Sequence, residues 1–129
     1  MRIKMTAIVV NDQQKALDFY TDVLGFVKSQ DIPMGEFRWL SVKSAEGGET
    51  ELSLEPDANP ASKAWQSSLM EQGIPMTAFE VDDVEAEFQR LKGKGVAFTT
   101  EPMDAGPVTM AVFADTCGNL IQIYAHKPA

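Results

Sequence analysis

The sequence has a single histidine, His126, and a single cysteine, Cys117, among 129 residues. A zinc centre with Cys₄, Cys₂His₂ or His₃ ligands is therefore excluded within one chain, as is an internal disulfide. Basic residues are also scarce: 11 Lys and Arg against 19 Asp and Glu give a net charge of −8. That balance argues against nucleic acid and anionic membrane as partners, because phosphate binding depends on neutralisation by Lys and Arg. No apolar run approaches the ~20 residues of a membrane span. Met1–Lys4 runs into an alternating pattern without a signal-peptide apolar stretch, so a cytoplasmic location is expected. The sequence also lacks a Gly-rich phosphate loop, a nucleophile elbow and a convincingly spaced pair of catalytic carboxylates. What remains, 44% hydrophobic and 23% charged residues, is ordinary for one globular domain.

The chain repeats itself. Met5-Thr6-Ala7-Ile8 returns 71 residues later as Met76-Thr77-Ala78-Phe79. At the same offset Asn11 falls on Asp82, Gln14 on Glu85, and Glu51–Leu54 on Gln122–Ala125. Asn or Asp followed by Gln or Glu three residues on is a helix-start signal. A constant register over strand, cap and distant strand points to duplication. Each half reads β-α-β-β-β. The first has strands at 2–10, 26–30, 37–43 and 50–55 and a helix over 13–24 stopped by Gly25. The second has strands at 75–81, 96–100, 108–114 and 119–125 and a helix over 84–92. One domain, 1–129, thus divides into a first module 1–57, a bridging helix and loops 58–74, and a second module 75–126. Asn59 caps the bridge helix, Pro60 opens it and Gly73 ends it. Trp65, Leu69 and Met70 on it are expected to be buried.

Strand alternation sorts the faces. Thr6, Ile8, Val10, Leu52 and Leu54, with Thr77, Phe79, Val81, Ile121 and Ile123, belong against the helices. The opposite face carries Met5, Ala7, Glu51 and Ser53 in one half and Met76, Ala78, Gln122 and Tyr124 in the other. Small residues, thioethers and a few polar tips suit a ligand-holding concavity. Arg38 and Trp39 are added as neighbours. Trp39, Tyr124 and Phe37 would stack on a ligand or serve as core and interface aromatics.

The duplicated layout resembles the vicinal oxygen chelate superfamily of glyoxalase I, extradiol dioxygenases and fosfomycin- and bleomycin-resistance proteins. Two stretches carry the resemblance. Ala16-Leu17-Asp18-Phe19-Tyr20-Thr21-Asp22-Val23-Leu24-Gly25-Phe26 is similar to the family's A-x-x-F-Y-x-x-x-L-G-F helix and turn. Phe113 to Ile123 is similar to its F-x-D-P-x-G-N-x-x-x-L loop and strand, with Thr116 where proline is usual. The resemblance implies an α+β fold of two tandem βαβββ modules, their curved sheet enclosing a cup-shaped cavity, and a homodimer. It also implies that metal-dependent members place ligands at the positions of Met5, Glu51, Met76 and Gln122, which the repeat relates as two pairs. Soft methionine sulfur does not suit the divalent ions of such enzymes, so no metal or other cofactor is expected.

Glu51 then stands as a general base, as counter-charge for a cationic ligand, or as a carboxylate at the cavity mouth, solvated or paired with Arg38. The catalytic role calls for a pKa raised by desolvation. The expected function is metal-independent binding of a small, cationic or aromatic molecule in the cavity between the two modules, in the bleomycin-resistance manner. The alternative is a glyoxalase- or dioxygenase-type lyase, isomerase or oxidoreductase with Glu51 as ligand or base, so enzymatic activity stays open. Cys117 is expected to be exposed and inert, and His126 to lie on the surface.

Overall fold

The computed structural model describes residues 1–128 and contains two compact units, Met1–Ser67 and Ser68 onward. The first unit is a four-stranded sheet, β1 (Met5–Val10), β2 (Val27–Met34), β3 (Phe37–Lys43) and β4 (Glu51–Pro56), in the order β1-β4-β3-β2. Helix α1 (Gln13–Asp18) follows β1. Asp12 caps α1 by accepting from the Lys15 N–H at 2.9 Å. The expected helix to Leu24 gives way at Phe19–Val23 to a wide π-type turn. There the Thr21 hydroxyl donates to the Leu17 carbonyl, a side-chain bond that competes with the regular helical ladder. Gly25, at φ 91°, ends the segment. Ile8, Val10, Ala16, Tyr20, Leu40, Val42 and Leu54 form the core between sheet and helix.

The second unit repeats the plan. Strands β5 (Thr77–Glu80), β6 (Phe98–Asp104), β7 (Val108–Ala114) and β8 (Leu120–His126) run in the order β5-β8-β7-β6, and α3 (Val84–Gly93) follows β5. Asp83 caps α3 as Asp12 caps α1, accepting from Ala86 N–H at 3.0 Å. Phe88 on α3 meets Phe98 edge-on at 4.8 Å, with Leu91, Phe113 and Ile121 buried beside them. The α+β class and the tandem βαβββ modules of the sequence reading are thus present.

Helix α2 (Pro60–Gln72) joins the units, and the boundary falls within it. Asn59 Oδ1 accepts from Ala61 N–H at 2.9 Å and caps it. Its burial corrects the sequence expectation. Trp65 and Met70 are exposed, while Gln66 is buried and donates to the Val9 carbonyl at 3.0 Å. That carbonyl lies at the end of β1, and the Gln66 amide satisfies it.

Two further departures concern the second unit. In the first, Met5 sits opposite Glu51 and Ala7 opposite Ser53. In the second, Ala78, not Met76, sits opposite Gln122. The parallel register has slipped by two residues relative to the repeat. A slip of two keeps each side chain on its face but replaces its partner. Cys117, expected to be exposed, is fully buried, because the loop from Asp115 to Asn119 folds inward around the Asp115 carboxylate. Thr116 in that loop has φ 64°, a left-handed conformation that costs a β-branched residue about 1–2 kcal/mol. Thr116→Asn should therefore raise stability by about 1 kcal/mol, read as a higher urea midpoint at unchanged m-value.

Candidate functional site

The functional geometry begins where β3 and β4 part. Their antiparallel ladder runs Lys43↔Glu51, Val42↔Leu52, Ser41↔Ser53 and stops. Continuing it would set Arg38 opposite Pro56, which has no N–H to donate. The Gln13 carboxamide stands there instead. Its Oε1 accepts from Arg38 N–H at 3.0 Å, and its Nε2 donates to the carbonyls of Arg38 at 2.7 Å and Leu54 at 2.9 Å.

Beyond the split lies a concavity of about 440 Å³, within the range of small-molecule sites. Phe37 and Trp39 of β3 line it with Met34 from the end of β2. Ser53, Glu55 and Pro56 of β4 line the other side, and Val9, Asn59 and Ser62 complete it. Met34, Phe37 and Trp39 leave large apolar surface exposed, at 58%, 37% and 43%. Glu55 is exposed, accepts from the Ser53 hydroxyl at 3.2 Å and forms no ion pair among the described residues. Arg38 also lines the concavity, but its guanidinium grips Asp31 through two bonds of 2.9 and 2.8 Å. That pairing holds the Asp31 carboxyl below its ordinary value and the Arg38 guanidinium above. Arg38 thus brings little free charge, and Glu55 is left as the exposed carboxylate of an aromatic- and thioether-walled hollow.

The sequence-derived residues divide between this place and others. Trp39, Arg38 and Ser53 line the concavity; Met5, Ala7 and Glu51 stand on β1 and β4 outside its lining. Met76, Ala78, Gln122 and Tyr124 belong to the second unit, where Tyr124 packs edge-on against His126 at 5.6 Å. Glu55, Met34 and Gln13 were outside the sequence selection, whereas Phe37 was already a candidate for stacking on a ligand. Period-two alternation puts Glu55 on the face of Glu51 and Ser53, so it was recoverable from the sequence. Gln13 was not, since its partners lie 25 and 41 residues away.

Glu51 does not meet the description of a general base. Its carboxylate accepts from the Ser41 hydroxyl at 2.7 Å and the Gln30 amide at 3.2 Å. With a hydrogen bond from Ser29 as the largest influence, these donors lower its pKa to about 2, the reverse of the raised value expected. Arg38 is paired with Asp31, so it is not the counter-ion of Glu51. The donor chemistry does not fit a divalent Lewis acid either. In the first unit Glu51 is already occupied by hydroxyl and amide donors beside soft Met5, and Met76 is not opposite Gln122 in the second. Among the described residues no three His, Cys, Asp or Glu side chains gather as a metal site.

Because Glu51 is held ionised in the folded state, its contribution to stability is full above about pH 4.5 and is lost as pH falls towards about 2. Urea midpoints taken at neutral and at acid pH should fall further for the parent than for Glu51→Gln.

Residues 2–123 match the Glyoxalase/Bleomycin resistance protein/Dioxygenase superfamily, and the chain belongs to that family. The protein YurT of Bacillus subtilis (strain 168) is 54% identical over 124 residues, 95% of this chain and 98% of its own. A lactoylglutathione lyase of Neisseria meningitidis (strain MC58) is 31% identical, covering 98% of this chain and 92% of its own. Among solved structures, UcmS2 superposes with a TM-score of 0.83 at 31% identity, over 96% of this chain and 97% of its own. TnmS3, an antibiotic binding protein from Streptomyces sp. CB03234, superposes with a TM-score of 0.79 at 29% identity, over 98% and 97%.

Proposed function

We propose that the protein binds a small, flat, aromatic or cationic molecule in the concavity of the first unit, without a divalent metal. The observation that carries this is the hollow itself: Trp39, Phe37 and Met34 offer apolar wall, and Glu55 offers an exposed carboxylate with no ion pair among the described residues. Aromatic rings stack on such walls, and a cation is attracted both to a ring face and to a carboxylate. The likeness to TnmS3 supports ligand capture. The reading extends to a homodimer in the cytoplasm, for which light scattering should give twice the 14.1 kDa chain mass.

The test is a thermal-shift screen of flat aromatic cations, anions and neutral molecules on chelator-treated protein. Mass action requires a bound ligand to raise the melting temperature, by RT ln(1 + [L]/Kd) in free energy. Elemental assay of the purified protein should find no stoichiometric Ni, Zn, Fe or Mn; about one ion per chain would overturn the metal-independent reading. The likeness to lactoylglutathione lyase favours a second reading, lyase or isomerase chemistry at Glu51. It requires the parent to convert a substrate that Glu51→Gln still binds but no longer turns over, whereas the binding reading requires that neither protein turn its ligand over.

A further inference from the structure

The concavity owes its shape to an interruption in a β-ladder, and one side chain occupies the interruption. Paired strands lie about 4.8 Å apart, joined directly by N–H···O bonds of about 2.9 Å. Between Arg38 and Leu54 the connection instead runs through a whole carboxamide, with bonds of 3.0 Å to Arg38 N–H and 2.9 Å to Leu54 C=O on its two ends. Trp39 follows Arg38 on β3, and Glu55 follows Leu54 on β4. Both residues that would hold a ligand are therefore neighbours of the backbone groups that the amide spaces.

We infer that Gln13 is a positioning residue of the ligand site: its carboxamide replaces the missing β3–β4 pairing and fixes the separation of Trp39 and Glu55. This rests on the binding function proposed above and adds its source of selectivity, a slot that admits a flat ring. Gln13 opens α1 directly after the Asp12 cap, so the cap that starts the helix also aims the amide at the sheet. Leucine has similar bulk but neither donor nor acceptor. It would leave Arg38 N–H and the two carbonyls without their partner, and the strands must then shift to satisfy them.

The experiment uses the full chain in a Trp65→Phe background, which leaves Trp39 as the sole tryptophan of the original two. Proflavine, a flat aromatic cation, is titrated against the parent, Gln13→Leu, and Leu91→Ala as a stability control in the core of the second unit. Gln13→Leu should weaken proflavine binding by about tenfold or more and shift Trp39 emission. Leu91→Ala should lose thermal stability while keeping affinity and emission. Gln13→Glu, which keeps the acceptor and loses the donor, should fall between. If Gln13→Leu binds proflavine as the parent does, the positioning role is overturned while the binding site stands. If the parent itself fails to bind proflavine, the binding function fails and the positioning role that rests on it fails with it, an outcome distinct from loss of the positioning role alone.

Discussion

Asp115→Ala should destabilise the protein by about 3–5 kcal/mol, the largest effect expected of any single substitution considered. The side chain is fully buried and accepts from Cys117 N–H at 2.7 Å, Asn119 N–H at 3.0 Å and the Asn119 amide at 2.8 Å. Alanine would remove the acceptor that these buried donors share, at a cost of about 1–3 kcal/mol per lost bond, reduced by whatever relaxation the loop allows. Asp115→Asn keeps one oxygen acceptor and should recover part of the loss. Urea denaturation would separate the variants: a midpoint close to that of the parent for Asp115→Ala would mean that the loop is held by other contacts. The same loop sets Leu120 and Ile121 into the core at the start of β8. Its role is thus to begin the last strand of the second unit.

Trp39→Ala should weaken ligand binding by about 30-fold, corresponding to the ~2 kcal/mol of an aromatic anchor. Its effect on stability should be small, because the ring is 43% exposed in the free protein and little packing is lost with it. Proflavine titration and thermal melting on the same samples check both halves. The pairing matters: a variant that loses affinity and stability together would place Trp39 in the fold and not in the site. Ile32, opposite Trp39 on β2, is likewise exposed and offers a comparison, since its removal should leave affinity nearly unchanged.

Much of the architecture was legible because it rests on local signals. Period-two alternation located β3 and β7 to the residue, at 37–43 and 108–114. The two helix starts were legible to within one residue: the repeat pointed to Asn11 and Asp82 as caps, whereas Asp12 and Asp83, also 71 apart, hold them. The family motifs from Ala16 and from Phe113 likewise led to the superfamily that the chain matches. The register slip in the second unit was not legible, because parallel pairing of β5 with β8 joins residues more than 40 apart and a shift of two leaves the alternation intact.

The site was only half legible for a related reason. The repeat directed attention to Met5 and Glu51, where the strands of the first unit begin to pair. The hollow lies further along, where β4 reaches Pro56 and β3 leaves it. A proline at the end of a strand was visible in the sequence, but not that Gln13 would cross to fill the gap. For Glu51 the sequence left a desolvated base and a solvated carboxylate both open. A carboxylate on an apolar-looking face suggested desolvation, yet Ser29, Gln30 and Ser41 surround it with donors and lower its pKa. Similarly, Trp65 was assigned to the interior on hydrophobicity alone, while the position that needed filling was beside a carbonyl and took Gln66.

The most direct test of the binding account is isothermal titration calorimetry of chelator-treated protein with proflavine, alongside Trp39→Ala. The account predicts saturable binding of one molecule per chain, unchanged by added divalent metal and lost or greatly weakened in Trp39→Ala. Binding that appears only when metal is restored, binding undiminished in Trp39→Ala, or no binding at all would contradict it.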